Sequence, residues 1–142
     1  MRALGKHILA EFYGCSFDVI NDCQGIERLF VRVAAEAGAT VVGSSFHTFS
    51  PQGVSGVVVI AESHLSVHTW PEFGYCAVDI FTCGDRIDNH GCLKALEQGL
   101  GAESTSVIEM NRGMLDLGVV RKGQPRPGKH PKACDFVMEA VA

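Results

Sequence analysis

The 142-residue sequence predicts an α+β fold, a two-layer sandwich whose mainly antiparallel sheet carries its helices on one face. Three observations carry that prediction. Strand-like segments crowd the middle of the chain with short linkers between them, which suits antiparallel neighbours. Only two segments show helical periodicity, one before that cluster and one after it. The resulting order, β-α-β-β-β-β-α-β, has too few helices to cover both faces.

Residues 4–13 alternate as a strand, with Ile8, Ala10 and Phe12 on one face and His7, Leu9, Glu11 and Tyr13 on the other. Ile26, Leu29, Phe30, Val33, Ala34 and Ala37 then recur at helical spacing, behind an Asp22 cap and ahead of a Gly38 stop. Residues 40–49 are β-branched, small or aromatic, and Ser50-Pro51-Gln52-Gly53 makes a turn. Strands are expected over 54–61, 65–70 and 75–81, and the first of these is apolar enough to be central. A second helix over 89–98 turns Cys92, Leu93 and Leu96 inward, weakened by Gly91 and Gly99. Residues 104–110 form the last strand.

Residues 1–120 are expected to form one domain, and a chain of this size buries about two-thirds of its unfolded surface. Residues 121–142 open with a basic, Pro- and Gly-rich run and read as a flexible tail. The composition, 46 % hydrophobic and 20 % charged, is that of a soluble globular protein. A net charge of -4 gives no support for a nucleic-acid or membrane-surface partner. No apolar run approaches the roughly 20 residues of a membrane span. The N-terminus lacks a signal peptide's apolar core, so the expected compartment is the cytoplasm. Six cysteines, at 15, 23, 76, 83, 92 and 134, contain no C-x-x-C pair and are expected as thiols.

Chemistry concentrates between Ser55 and Cys83, where Glu62, Ser63, His64, His68 and Glu72 interrupt or end apolar runs. His64 and His68 have the spacing of a metal pair, with Cys83 as a conceivable third ligand, but β-branched neighbours oppose the helix that would aim them together. No metal is therefore expected. A Ser-His hydrolase lacks its G-x-S-x-G elbow. Ser63 and His68 are an odd number of residues apart, so a straight strand points them to opposite faces, and they meet only across a sharp turn near 62–64. Such a turn can instead strain the Glu62–Ser63 peptide, whose carbonyl is the electrophile nearest to Ser63 Oγ. Spacing goes no further than this.

The run from Gly53 through Glu62-Ser63-His64-Leu65-Ser66-Val67-His68-Thr69-Trp70-Pro71-Glu72 to Thr82-Cys83-Gly84 closely resembles the short prokaryotic S-adenosylmethionine decarboxylase proenzymes. Leu4-Gly5-Lys6-His7, Ala10 to Tyr13 and Gly38 to Phe49 extend the likeness over roughly residues 4–112. The resemblance implies a pyruvoyl-dependent enzyme of spermidine biosynthesis. Ser63 would attack the Glu62 carbonyl to give an ester, His68 would accept the proton in the elimination that breaks it, and Ser55 would assist. The products would be a β chain, 1–62, and an α chain, 63–142, capped by a pyruvoyl group made from Ser63. That group would form a Schiff base with the substrate amine, and Cys83 would return a proton to the former α-carbon, as a thiol protonated at neutral pH can. By the same likeness Phe49 and His68 flank adenine, Leu65 and Ser66 offer backbone contacts, and Glu72 takes the ribose hydroxyls. Phe49 would come from a partner subunit, which implies a homodimer of processed αβ units. Cys76 stands where the family commonly has Ala, and Ala61 where it commonly has Ser. Three alternatives rank below this reading: arginine or ornithine as substrate on the same scaffold, an unprocessed homologue acting as a regulatory subunit, and, last, a metal protein using His64, His68 and Cys83.

Overall fold

The computed structural model describes residues 2–115. The expected tail, 121–142, and Cys134 lie outside the described residues. The elements are β1 (Arg2–Tyr13), α1 (Phe17–Ile20), α2 (Cys23–Glu36), β2 (Val41–Thr48), β3 (Val54–Ile60), β4 (Ser63–Trp70), β5 (Tyr75–Cys83), α3 (Asn89–Leu100) and β6 (Ser104–Leu115), with a 3-10 turn at Pro71–Phe73. The six strands form one sheet in the order β2-β3-β4-β5-β1-β6, every neighbouring pair antiparallel. The expected α+β sandwich is the architecture found.

The alternation read in β1 holds, since Ile8, Ala10 and Phe12 are each at most 1 % exposed and face the helices. Val54, Val58 and Ile60 of β3, Leu65 and Val67 of β4, and Cys76, Val78 and Ile80 of β5 complete the sheet's share of the core. α2 lays Ile26, Leu29, Phe30, Val33 and Ala34 on it, and α3 adds Cys92, Leu96 and Leu100. Burying a side chain such as Phe30 contributes about 1.5–3 kcal/mol, so this one layer of contacts dominates the fold's stability. Glycine at 56 has a packing reason. A Cβ there would lie 2.0 Å from the Phe46 ring, which crosses the β2–β3 pair to meet Phe30 edge-on.

The helix ends differ in detail from expectation. Asp22 occupies the N-cap of α2, but its carboxylate makes no capping hydrogen bond there and lies 3.9 Å from the Arg28 guanidinium. Gly38 stops the helix with φ +92°, and the Ala39 N–H reaches back to the Ala34 carbonyl at 3.0 Å. In α3 the cap is Asp88, which accepts from the Gly91 N–H at 2.9 Å and offsets the glycine's poor propensity. The one-turn α1 carries no periodic signal, because it buries only Ile20.

Thr69 joins three elements. Its buried hydroxyl accepts from the Val54 N–H at 2.9 Å and donates to the Ile20 carbonyl at 2.9 Å, tying β3 and β4 to α1. Thr69→Val keeps the shape and strands both backbone groups. It should lower unfolding free energy by about 1–3 kcal/mol in equilibrium urea denaturation, with an unchanged slope.

Candidate active site

Among the described residues no helix lies on the sheet's other face. Across it the register aligns His47, Ser55, His68, Ala77, Glu11 and Ser106 in one row, and Val59, His64, Phe81, His7 and Met110 in another. The sequence-predicted residues therefore lie on or beside this face, but at two separate places.

The first place is the β3–β4 hairpin. Ile60 pairs with Ser63, leaving only Ala61 and Glu62 to turn the chain. Tight hairpins need a positive φ, which a three-residue loop usually puts on a final glycine. Here neither Ala61 nor Glu62 supplies it, and Ser63 does, at φ +146°. Ser63 is the only non-glycine residue with positive φ among the described residues. Such a conformation costs of order 1–3 kcal/mol. β5 runs alongside and ends at Cys83, whose N–H donates to the Glu62 carbonyl at 2.9 Å. The Glu62 carboxylate accepts from the Thr40 N–H at 3.2 Å, and the Ala61 N–H donates to the Thr40 carbonyl at 2.9 Å. The scissile peptide expected from the sequence is thus pinned on both sides, with an amide donor on its oxygen. Ser63 Oγ lies 3.2 Å from His64 Nδ1.

The second place is the far half of β4. Ser55 and His68 face each other in register, with Oγ and Nδ1 2.6 Å apart. They line a cavity of about 310 Å³ with Phe49, Gln52, Gly53, Thr69, Trp70 and Glu72. Phe49, His68 and Glu72, read from the sequence as substrate contacts, share this one cavity. The turn carrying Phe49 is held by the Gly53 N–H, which donates to Asn21 Oδ1 at 3.0 Å. An adjoining hollow of about 300 Å³ shares Ser55 and His68 and adds Ser66. Leu65 is buried in the core and pairs with Val58 on one side and Ile80 on the other.

The two places do not meet within one chain. Ser63 and His68 stand on one extended strand, and five residues span roughly 17 Å at 3.3–3.4 Å each. The expected turn exists but lies before Ser63, so it does not fold His68 back. Cys83 stands with Ser63; Ser55, Phe49 and Glu72 stand with His68. His64 and His68 do point to the same face, at opposite ends of the strand. Cys76 is buried on the face opposite Cys83.

Sequence reasoning missed several groups. It considered His64 only as a metal ligand, although adjacency to Ser63 was a usable signal. The Thr40 and Cys83 amides depend on long-range pairing and gave none. Nor did the network in which Ser66 Oγ donates to Asp79 at 3.0 Å, Asp79 lies 3.7 Å from His7 Nε2, and the Arg112 guanidinium stacks 4.9 Å over Phe81. At the cavity's edge Tyr75 packs against Trp70 and Tyr13, and its hydroxyl donates to the Glu11 carboxylate.

Three comparisons relate the whole chain to known proteins. The family model described as S-adenosylmethionine decarboxylase matches residues 6–113. A curated relative from Carboxydothermus hydrogenoformans, named S-adenosylmethionine decarboxylase proenzyme, is 55 % identical over 115 residues, covering 81 % of this chain and 91 % of its own. One of the same name from Moorella thermoacetica is 53 % identical over 116 residues, covering 82 % and 93 %. The crystal structure of the adenosylmethionine decarboxylase from Aquifex aeolicus superposes with a TM-score of 0.75 at 32 % identity, covering 89 % of this chain and all of that one.

Burial and the adjacent Glu11 carboxylate push the Tyr75 phenol from 10.0 up to about 12. Because the folded value exceeds the unfolded one, the associated stability is complete below pH 10 and is lost as pH rises through 12. Alkaline titration followed by tyrosinate absorbance should place one step near 12, absent in Tyr75→Phe and moved down in Glu11→Gln.

Proposed function

The chain belongs to the S-adenosylmethionine decarboxylase family, and on that premise we propose that it is a self-processing, pyruvoyl-dependent decarboxylase of S-adenosylmethionine. The observation that carries the reading is the Glu62–Ser63 peptide, where a strained serine follows a carbonyl already accepting the Cys83 N–H at 2.9 Å. Ser63 Oγ attacks that carbonyl, and the Cys83 amide stabilises the negative charge on its oxygen. The peptide becomes an ester. His68 then takes the Ser63 α-proton, the Glu62 carboxylate leaves as the end of β chain 1–62, and the dehydroalanine at position 63 hydrolyses with loss of ammonia. The pyruvoyl group so made on α chain 63–142 supplies an electron sink for the loss of CO₂ from an amino acid.

The remaining residues bind and move protons. Cys83 is exposed at the strand end beside position 63, and its thiol returns the proton to the substrate's α-carbon. Phe49 and His68 hold the adenine, Glu72 accepts from the ribose hydroxyls, and the backbones of Leu65 and Ser66 give further contacts. Their shared cavity supports a nucleoside substrate rather than a simple basic amino acid. The product is S-adenosylmethioninamine, the aminopropyl donor of spermidine synthesis.

A second copy completes each site. Roughly 17 Å of strand separates Ser63 from His68, so His68 of one copy serves Ser63 of the other. The helix-free face supports this pairing, for it exposes Val59, Trp70, Ile108 and Met110 at 40–62 %. A twofold axis through it makes two equal sites, each with Ser63 and Cys83 from one copy and Phe49, Ser55, His68 and Glu72 from the other. Among the described residues no helix is long and apolar enough to cross a membrane, and the described cysteines are free. A reducing compartment, the cytoplasm, suits such thiols.

Two outcomes test the reading. Wild-type protein should run as fragments 1–62 and 63–142, the second with a blocked N-terminus, whereas Ser63→Ala stays whole and inactive; an intact wild-type mass after prolonged incubation overturns self-processing. Neither Ser63→Ala nor His68→Ala alone should split, but co-expressed they should, with only the His68→Ala chain cut. Mixed dimers in which both chains stay whole would exclude the shared site.

A further inference from the structure

We propose that His64 is the base for the first step of self-cleavage, so that the shift from peptide to ester is completed inside a single chain. The inference rests on the self-processing reading and adds a residue to it. That reading gives His68 the proton of the elimination and leaves the proton of the Ser63 hydroxyl without an acceptor. His68 of the same chain is too far away, at the other end of β4. His64 Nδ1 lies 3.2 Å from Ser63 Oγ.

The imidazole is held for this task. It stands edge-on to Phe81 with centroids 5.8 Å apart. Phe81 is itself fixed between the His7 ring, at 5.2 Å, and the Arg112 guanidinium, at 4.9 Å. With its hydrogen on Nε2, the neutral ring offers Nδ1 as an acceptor. Nucleophile, base and oxyanion donor, the three groups an acyl transfer needs, therefore come from residues 63, 64 and 83 of one chain.

The step balances. Ser63 Oγ bonds to the Glu62 carbonyl carbon while its proton passes to His64 Nδ1, and the carbonyl oxygen, now negative, stays on the Cys83 N–H. The bond from Glu62 carbon to Ser63 nitrogen then breaks, and His64 returns the proton to that nitrogen. The result is an ester and a free amine of unchanged mass. A second copy enters only afterwards, when its His68 removes the α-proton.

The ester can be read directly because hydroxylamine cleaves it and leaves peptides intact; the sequence has no Asn-Gly pair to cut otherwise. In a His68→Ala chain, where elimination is blocked, hydroxylamine should release 1–62 as its hydroxamate. In His64→Ala/His68→Ala the ester should form about 100-fold more slowly or worse, the usual range for losing a general base. Added imidazole should restore part of the rate. His64→Gln in the same background keeps a polar contact without accepting a proton, so it should be equally slow while melting like its parent. Ester forming in the double variants as fast as in His68→Ala alone overturns the role of His64 and leaves self-processing standing. If wild-type protein splits but His68→Ala yields no hydroxylamine-labile bond, the first step itself needs His68 and this inference fails while self-processing stands; a wild-type chain that stays whole overturns both.

Discussion

The hydrogen bond from the Cys83 amide to the Glu62 carbonyl is the constraint on which the proposed chemistry of this fold depends. It exists because β3, β4 and β5 are locked in one register, with Ile60 against Ser63 and Ser63 against Thr82. Hydrogen bonds to Thr40 and Cys83 pin the hairpin end, but the register of the whole set of strands has a larger source. It is fixed on the other face, where Val58, Ile60, Leu65, Val67, Val78 and Ile80 must all point into the core. A slip of one residue would put that set in water and move the Cys83 amide off the carbonyl. Thr82, fully buried and hydrogen-bonded to Asn89 at the start of α3, holds the same corner from below. Precision at the reacting peptide is thus a property of the apolar layer beneath it.

The hairpin adds strain to position. A glycine at 63 would relax the turn and remove the nucleophile together, so the serine has to carry the unfavourable φ. The size of that strain decides what it can do. At about 1–3 kcal/mol it is small beside the barrier to breaking a peptide bond. It offsets part of the cost of exchanging an amide for a less stable ester and aims the hydroxyl, but it does not drive the reaction. In the proposed sequence the later elimination, in which the Glu62 α-carboxylate leaves, is the step that cannot return.

Most of the fold was legible because its signals are local. Alternation in β1, the apolar stripe of α2 and the short linkers around β3, β4 and β5 each needed a dozen residues or fewer to read. The misses have the opposite character. α1 is one turn long and buries a single side chain, Ile20. Asp22 has the chemistry of a helix cap, yet Arg28 is its charged neighbour. At the site, spacing alone raised the strained Glu62–Ser63 peptide and set Ser63 and His68 on opposite faces. The named roles came from family likeness. The distance between the two residues, and the donors from Thr40 and Cys83, arise from strand geometry and from pairing between segments 20 or more residues apart, which no local pattern encodes.

That distance gives the proposed chemistry its order. Ser63 and His64 are neighbours in one chain, so peptide and ester can interconvert wherever the hairpin is folded. The proposed elimination needs an imidazole that the chain holds at the other end of β4, engaged through Nδ1 with Ser55. A copy that has folded but not paired therefore stops at a stage that can revert. The proposed pairing that delivers His68 would also cover the exposed valine, isoleucine and methionine of the sheet face opposite the helices. On this proposal the electrophilic group forms only inside an assembled dimer, next to Cys83 and to the cavity proposed for its substrate.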